Sequence, residues 1–284
     1  MIWVNLSGGL GNQIIQVCFA SRLSSAVEAK VCLCSLDEDQ SSMNPQVMDL
    51  INSLYLDFSG RPKAKIKRRV RRFLNFKNSR CSIVKEFDED DFKEGLSLQS
   101  KHLIFDGYWQ SAKNIRHLFE MDLNEYKKIF RISSFSLQMN LEGTCILHLR
   151  SGDYRNFLNK IIFWQQDINY YLEALKSIED IASKRILVCS NGQWEETHKF
   201  MNVLKVRAGL KDSHIEIFAG DAIETFQLML DCRYLVGSNS TFSLVAFILT
   251  KSTKRLGIFP KRWFRFFEHP LRGLSESGTS ISLL

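Results

Sequence analysis

The sequence predicts an α/β fold of parallel sheets covered by helices on both faces, built in two halves. Three observations carry this expectation. From Thr144 onward, short apolar runs of strand length alternate with stretches of helical period, the rhythm of parallel sheets with crossover helices. The amino terminus has the same unit, with an apolar run, a glycine-rich loop and a helical period in succession. Between them, residues 131–142 are polar and have no clear period, as expected of a boundary between halves.

Taken in order, Ile2-Trp3-Val4-Asn5-Leu6 reads as a strand. Ser7-Gly8-Gly9-Leu10-Gly11-Asn12-Gln13 reads as a loop entering a helix that ends near Val27. Lys30–Cys34 is a second strand, and residues 37–52 read as loop and short helix. In the second half, Thr144–Leu149 is a strand whose Cys145, Ile146 and Leu147 are consecutively apolar, as in a strand buried on both faces. Asn169–Ile178 is a helix, Arg185–Cys189 a strand and Gln193–Val206 a helix. Ile215–Phe218 is a strand and Ala222–Asp231 a helix. Tyr234–Val236 is a strand, Thr241–Leu249 a helix and Arg255–Phe259 a final strand.

Composition narrows the class. A chain of 284 residues with 45% apolar residues can build one large or two modest cores, and its 15 Gly and 4 Pro argue against extensive disorder. No apolar run approaches the roughly 18 residues of a membrane-spanning helix. Met1 leads directly into a strand, so no secretory signal is expected. The seven cysteines are odd in number and form no Cys-x-x-Cys; buried free thiols in a reducing cytosol are expected. The net charge of +7 is local. Residues 61–72 carry eight basic side chains, from Arg61 and Lys63 to Arg72, and without them the chain would be about −1. Val70, Phe73 and Leu74 interleave with them. An amphipathic basic helix over 61–73 would suit an anionic membrane surface; a solvated helix paired with the acidic run 86–94 is the plainer reading. A nucleic-acid module would use the same strip with stacking aromatics. The 21 Phe lie mostly at core positions and no recognition motif is present, so no nucleic acid is expected.

Three motifs carry chemistry. Leu147-His148-Leu149-Arg150-Ser151-Gly152-Asp153-Tyr154 puts an imidazole, a guanidinium and a carboxylate at one strand exit. Such exits are where open α/β sheets bind ligands, and the planar Arg fork suits a phosphate. The amino-terminal glycine loop offers close backbone approach and a helix start. It lacks the third glycine of a dinucleotide fingerprint and the Gly-Lys-Ser/Thr of a P-loop. Tyr234 to Ser243 runs a strand into small hydroxyl residues that can cap a helix and hold an anion. Asp37-Glu38-Asp39 and Asp88-Glu89-Asp90 lie apart from these three motifs and the six His are scattered, so Arg, hydroxyls and helix N-termini are the expected means of stabilising a leaving diphosphate. Asp153, Asp106 and Glu224 are candidate general bases.

In this order the motifs resemble those of the α-1,2-fucosyltransferase family. The resemblance runs through Gly8-Gly9-Leu10-Gly11-Asn12-Gln13, Gly107-Tyr108-Trp109-Gln110-Ser111, His148-x-Arg150-x-Gly152-Asp153-Tyr154 and Tyr170-Tyr171 with Ala174. It continues through Leu228-Met229-x-x-Cys232, Asn239-Ser240-Thr241-Phe242-Ser243 and Pro260-Lys261-x-Trp263-Phe264. It implies two Rossmann-like halves facing across a cleft (the GT-B arrangement), an acceptor-side domain over 1–135 and a donor domain over 136–284. It implies inverting, metal-independent transfer of L-fucose from GDP-fucose to a hydroxyl of a galactose-terminated glycan. That glycan would be lipid-linked in O-antigen synthesis, on the cytoplasmic side. Arg150 would hold the pyrophosphate, with His148 and Asp153 shaping that pocket. Ser238, Asn239, Ser240, Thr241, Phe242 and Ser243 would bind phosphates or nucleoside, with Glu224 near the base. Gly9, Gly11, Asn12 and Gln13 would face the donor from the first half.

The chain also departs from the family pattern. Ser151 stands where a second Arg is usual, and Thr225 where an acidic residue is usual. Ser190-Asn191-Gly192 replaces a Ser-Asp-Asp-like turn, and Leu244-Val245 a Trp pair. These positions leave open a transferase using another nucleotide sugar, an inactive member that keeps GDP binding, or a non-catalytic basic binding protein.

Overall fold

The computed structural model describes residues 2–27, 31–34, 57–58, 81–85, 102–110, 141–150, 161–249, 255–265 and 281–284. The chain divides into two compact units, Met1–Leu118 and Phe119–Leu284. The basic segment 61–73, Asp153 and the expected 135/136 boundary lie outside the described residues.

The first unit holds β1 (Ile2–Asn5), α1 (Leu10–Val27), β2 (Val31–Cys34), β3 (Asp57–Phe58), β4 (Cys81–Lys85) and β5 (His102–Asp106). Its sheet has the order β3-β2-β1-β5-β4, with every pair parallel. The chain adds β2 and β3 on one side of β1 and β4 and β5 on the other, so the sheet changes direction between β1 and β5. Ile14, Ile15, Val17 and Leu23 of α1 are buried together with Val4, Leu33 and Phe105 of the sheet.

The second unit contains β6 (Thr144–Leu149), α2 (Ile168–Lys176), β7 (Arg185–Ser190), α3 (Trp194–Ala208), β8 (Ile215–Ile217) and α4 (Ala222–Asp231). It continues with β9 (Tyr234–Val236), α5 (Thr241–Ile248), β10 (Leu256–Phe259) and β11 (Ile281–Leu283). The sheet order β11-β10-β9-β6-β7-β8 is all parallel. Read from the other edge, it is the 3-2-1-4-5-6 order of the Rossmann fold. All six residues of β6 are buried, as its central place between β7 and β9 requires. The expected α/β class with parallel sheets is therefore what the chain forms.

Local chemistry explains the helix ends. Asp167 caps α2 by accepting from the backbone N–H of Asn169 at 2.9 Å and of Tyr170 at 3.2 Å. Asp221 and Glu224 form a reciprocal capping box at the start of α4. α3 starts with Glu195 and Glu196, has Lys205 and Arg207 in its last turn, and stops at Gly209 with φ +64°. α5 has seven of its eight residues buried, so it is a core helix rather than an amphipathic one. Among the described residues no helix is long and apolar enough to cross a membrane. Cys18, Cys32, Cys34, Cys145, Cys189 and Cys232 are buried free thiols.

Candidate functional site

The second sheet changes direction between β6 and β9, and ligands of doubly wound sheets bind outside the carboxyl ends of strands at such a point. The residues that leave those two strands are His148, Leu149 and Arg150 on one side and Gly237 to Ser240 on the other. β6 and β9 are held in register by Cys145↔Tyr234 and Leu147↔Val236, which sets the two exits side by side. Gly237 is required there: a Cβ on it would lie 2.2 Å from Phe259 Cε1.

Two side-chain contacts join the exits. Arg150 Nη1 donates to Ser240 Oγ at 3.1 Å. Ser238 Oγ and His148 Nδ1 share a hydrogen bond of 3.1 Å. Ser240 is the N-cap residue of α5, yet its side chain makes no capping bond; the hydroxyl is engaged by the guanidinium instead. Leu244 N–H donates to Ser240 O at 3.1 Å and Ser243 Oγ donates to the same oxygen at 3.2 Å. A cationic fork, a hydroxyl and the start of a helix are thus gathered at one point, the chemistry of an anion site.

The surroundings fix this arrangement. Phe242, in the first turn of α5, packs against the His148 ring at 5.8 Å and edge-on against Phe226 of α4 at 5.2 Å. Tyr170 of α2 donates its hydroxyl to Gly237 O at 2.6 Å, and Tyr171 donates to His148 O at 3.4 Å. Asn239 Nδ2 donates to Trp164 O at 2.7 Å and to Trp263 O at 3.1 Å. Asn239 therefore ties segments 161–166 and 260–265 to the loop after β9. An antiparallel bridge, Phe163↔Phe264, pairs those same segments.

Burial, with a smaller contribution from Arg150, holds the His148 pKa down at about 3. The imidazole is neutral throughout the physiological range, so the positive charge here belongs to Arg150. The unfolded chain takes up a proton on this residue near pH 6.5 and the folded chain does not. Its contribution to stability is complete above about pH 6.5. It is lost as pH falls toward 3, by up to about 1.4 kcal/mol per pH unit. Urea unfolding at pH 7, 6 and 5 is expected to show this slope. His148→Gln, which keeps a polar group opposite Ser238, is expected to flatten it; an unchanged slope would place the acid sensitivity elsewhere.

The other expected site residues are placed as follows. Glu224 lies in the first turn of α4, where its Oε2 accepts from Asp221 N–H at 2.9 Å. Thr241 is buried at the start of α5 beside Phe242 and Ser243. In the first unit, Gly9 O accepts from Gln13 N–H at 3.1 Å, and Gln13 Nε2 donates to Gly8 O at 2.8 Å. Gly11 is buried in the first turn of α1. Asn12 Oδ1 accepts from Gln110 Nε2 at 2.9 Å. Two residues not expected from the sequence organise this loop. Gln16 accepts from Ser7 N–H at 2.9 Å and donates to Gly107 O at 2.8 Å. Asn5 Nδ2 donates to Asp106 Oδ1 at 2.8 Å, joining the ends of β1 and β5. The only sign of Gln16 in the sequence is a polar residue one turn after Gln13 in an otherwise apolar run. Among the described residues no three His, Cys, Asp or Glu side chains come together as a metal site.

Comparison with known proteins yields a family match. The model of glycosyl transferase family 11 matches residues 63–263. No curated protein matches the sequence. Similar solved structures include the fucosyltransferase NodZ from Bradyrhizobium, at 13% identity over 88% of this chain and 93% of that one, with a TM-score of 0.46. The ADP-heptose LPS heptosyltransferase II of E. coli is 11% identical over 100% and 90% of the two chains, with a TM-score of 0.48. The glycosyl transferase family 9 structure from Veillonella parvula is 11% identical over 100% and 85%, with a TM-score of 0.44.

Proposed function

Because this chain belongs to glycosyl transferase family 11, whose model covers residues 63–263, we propose that it is a fucosyltransferase. In this reading it moves L-fucose from GDP-fucose to a galactose-terminated glycan in α-1,2 linkage, with inversion and without a metal. The observation that carries the reading is the Arg150–Ser240 pair beside the start of α5, at the direction change of a sheet in Rossmann order. It can accept a nucleoside diphosphate as the departing group.

The chemistry assigns each residue a task. Arg150 and the Ser240 hydroxyl hold the β-phosphate oxygens, on which charge builds as the bond from phosphate oxygen to anomeric carbon breaks. The acceptor hydroxyl forms its bond to the opposite face of that carbon and gives its proton to a carboxylate, for which Asp153 and Asp106 are candidates. Neutral His148 fixes Ser238 and, through Phe242, the first turn of α5. A lipid-linked acceptor docked through the basic segment 61–73 fits the same reading.

Calorimetric titration with GDP, UDP and GDP-fucose, with and without EDTA, tests it. Selective GDP binding that survives EDTA is expected. A preference for UDP, or binding only with a divalent metal, would reassign the donor and make Ser151 and Thr225 the residues to explain.

A further inference from the structure

We infer that the first unit carries its own sugar-binding platform at the carboxyl ends of β1 and β5, with the ring of Tyr108 as its stacking surface. Resting on the transferase reading, the ligand is the pyranose ring of the acceptor.

The placement is the first argument. β1 and β5 flank the direction change of the first sheet, where a doubly wound sheet binds its ligand. The loops that leave these strands, Leu6–Gly9 and Gly107–Gln110, are cross-linked by Gln16, by Asn5–Asp106 and by Gln110–Asn12.

The second argument is the cost of displaying Tyr108. Its neighbour Trp109 has φ +56°, a left-handed conformation that is rare for a bulky residue and costs on the order of 1–3 kcal/mol. Trp109 lies flat on Phe19 of α1, with centroids 4.1 Å apart and planes 2° apart, and meets Phe105 edge-on. Its buried Nε1 has no hydrogen-bond partner among the described residues, a second cost. With Trp109 turned inward and 6% exposed, Tyr108 is 46% exposed. The Tyr108 ring then lies against Gly8: a Cβ on Gly8 would meet Tyr108 Cε1 at 3.1 Å and Asn12 Nδ2 at 2.6 Å. Strain, an unsatisfied indole and a required glycine all serve to present one aromatic ring to solvent.

The third argument is the chemistry around that ring. Residues 5–12 and 106–110 contain no Lys or Arg, while Asn12, Asp106 and Gln110 supply amides and one carboxylate. A ligand held here is neutral, hydroxyl-rich and apolar on one face. A pyranose has that character: its C–H face stacks on an aromatic ring and its equatorial hydroxyls exchange hydrogen bonds with amides and carboxylates. Within residues 5–12 and 106–110 a phosphate would find no cationic side chain.

The test is saturation-transfer NMR of the full-length protein with methyl β-galactoside, methyl β-glucoside and methyl β-N-acetylglucosaminide, beside a GDP titration. At least one glycoside is expected to bind wild type, with transfer strongest to the C–H protons of one ring face. Tyr108→Ala is expected to weaken it about tenfold, and Tyr108→Phe to retain it. Gly8→Ala, which crowds both Asn12 and the ring, is expected to weaken it as well. GDP affinity should be the same in Tyr108→Ala and Tyr108→Phe, and unchanged alkylation of Cys18, Cys32 and Cys34 shows that the first unit still folds. No glycoside binding to wild type, or binding indifferent to Tyr108→Ala, overturns the platform. Tyr108-dependent glycoside binding without any GDP binding would leave the platform standing and remove the transferase reading.

Discussion

Arg150→Lys is expected to lower kcat by about 10²–10³-fold, the usual cost of removing one preorganised donor from a charge-stabilising site. The geometry explains why the loss is this large for a change that keeps the charge. Arg150 reaches Ser240 Oγ through one terminal nitrogen at 3.1 Å, and a guanidinium is a planar fork suited to holding a hydroxyl and a phosphate together. An ammonium is a compact point charge that cannot hold the hydroxyl and bridge two phosphate oxygens at once. In the proposed reaction the interaction strengthens as charge builds on the leaving diphosphate, so kcat should fall more than GDP affinity. Single-turnover kinetics beside GDP calorimetry separates the two. Turnover within about threefold of wild type would remove Arg150 from the charge-stabilising role.

Arg255→Met is expected to destabilise the protein by about 3 kcal/mol, among the largest single-residue effects available to a fold of this kind. Arg255 is 6% exposed. It donates through Nε to Cys232 O at 2.6 Å, through Nη1 to Phe247 O at 3.1 Å and through Nη2 to Met229 O at 2.6 Å. Its guanidinium also stands 4.6 Å from the centroid of the Phe247 ring. The acceptors lie at the carboxyl ends of α4 and α5, where terminal carbonyls lack partners and the helix dipoles are negative. One cation therefore closes two helix ends. Methionine matches the volume but removes all three donations: Met229 O keeps only the Cys232 thiol at 3.4 Å and Phe247 O only the Leu249 N–H, and part of the loss is offset because a buried charge is no longer desolvated. Urea unfolding measures the difference, and a loss below about 1 kcal/mol would mean the carbonyls find water or other donors.

The second unit was legible in the sequence because each strand is a short apolar run bounded by polar residues. Thr144–Leu149, Tyr234–Val236 and Ala222–Asp231 have the expected bounds, and Arg185–Ser190 runs one residue further than expected. Cys81–Lys85, His102–Asp106 and Ile281–Leu283 were not legible. The first lies between charge-rich stretches, the second keeps three apolar residues between polar ends, and the third sits in a serine-rich tail without a period. At the site, Arg150 and Ser240 could be named because each follows a strand and carries a phosphate-binding group. Their direct bond could not, since it depends on β9 pairing with β6 across 90 positions. Asn239 shows the limit most clearly. Its setting in a run of small polar residues suggested ligand binding, while its amide hydrogens meet the carbonyls of Trp164 and Trp263, contacts made only by chain return.

The buried thiols supply built-in reporters of opening. Cys18, Cys32 and Cys34 lie in the first unit and Cys145, Cys189 and Cys232 in the second. Burial raises the pKa of Cys18, Cys34, Cys145, Cys189 and Cys232, so the closed state offers an alkylating reagent neither access nor thiolate. Modification then proceeds through transient unfolding, and mass spectrometry of the labelled peptides reads how often each unit opens, separately and without an engineered probe. A nucleotide that closes only the second unit would slow labelling at Cys145, Cys189 and Cys232 and leave the other three unchanged, so the protein's own sulfur atoms can locate a ligand to one unit.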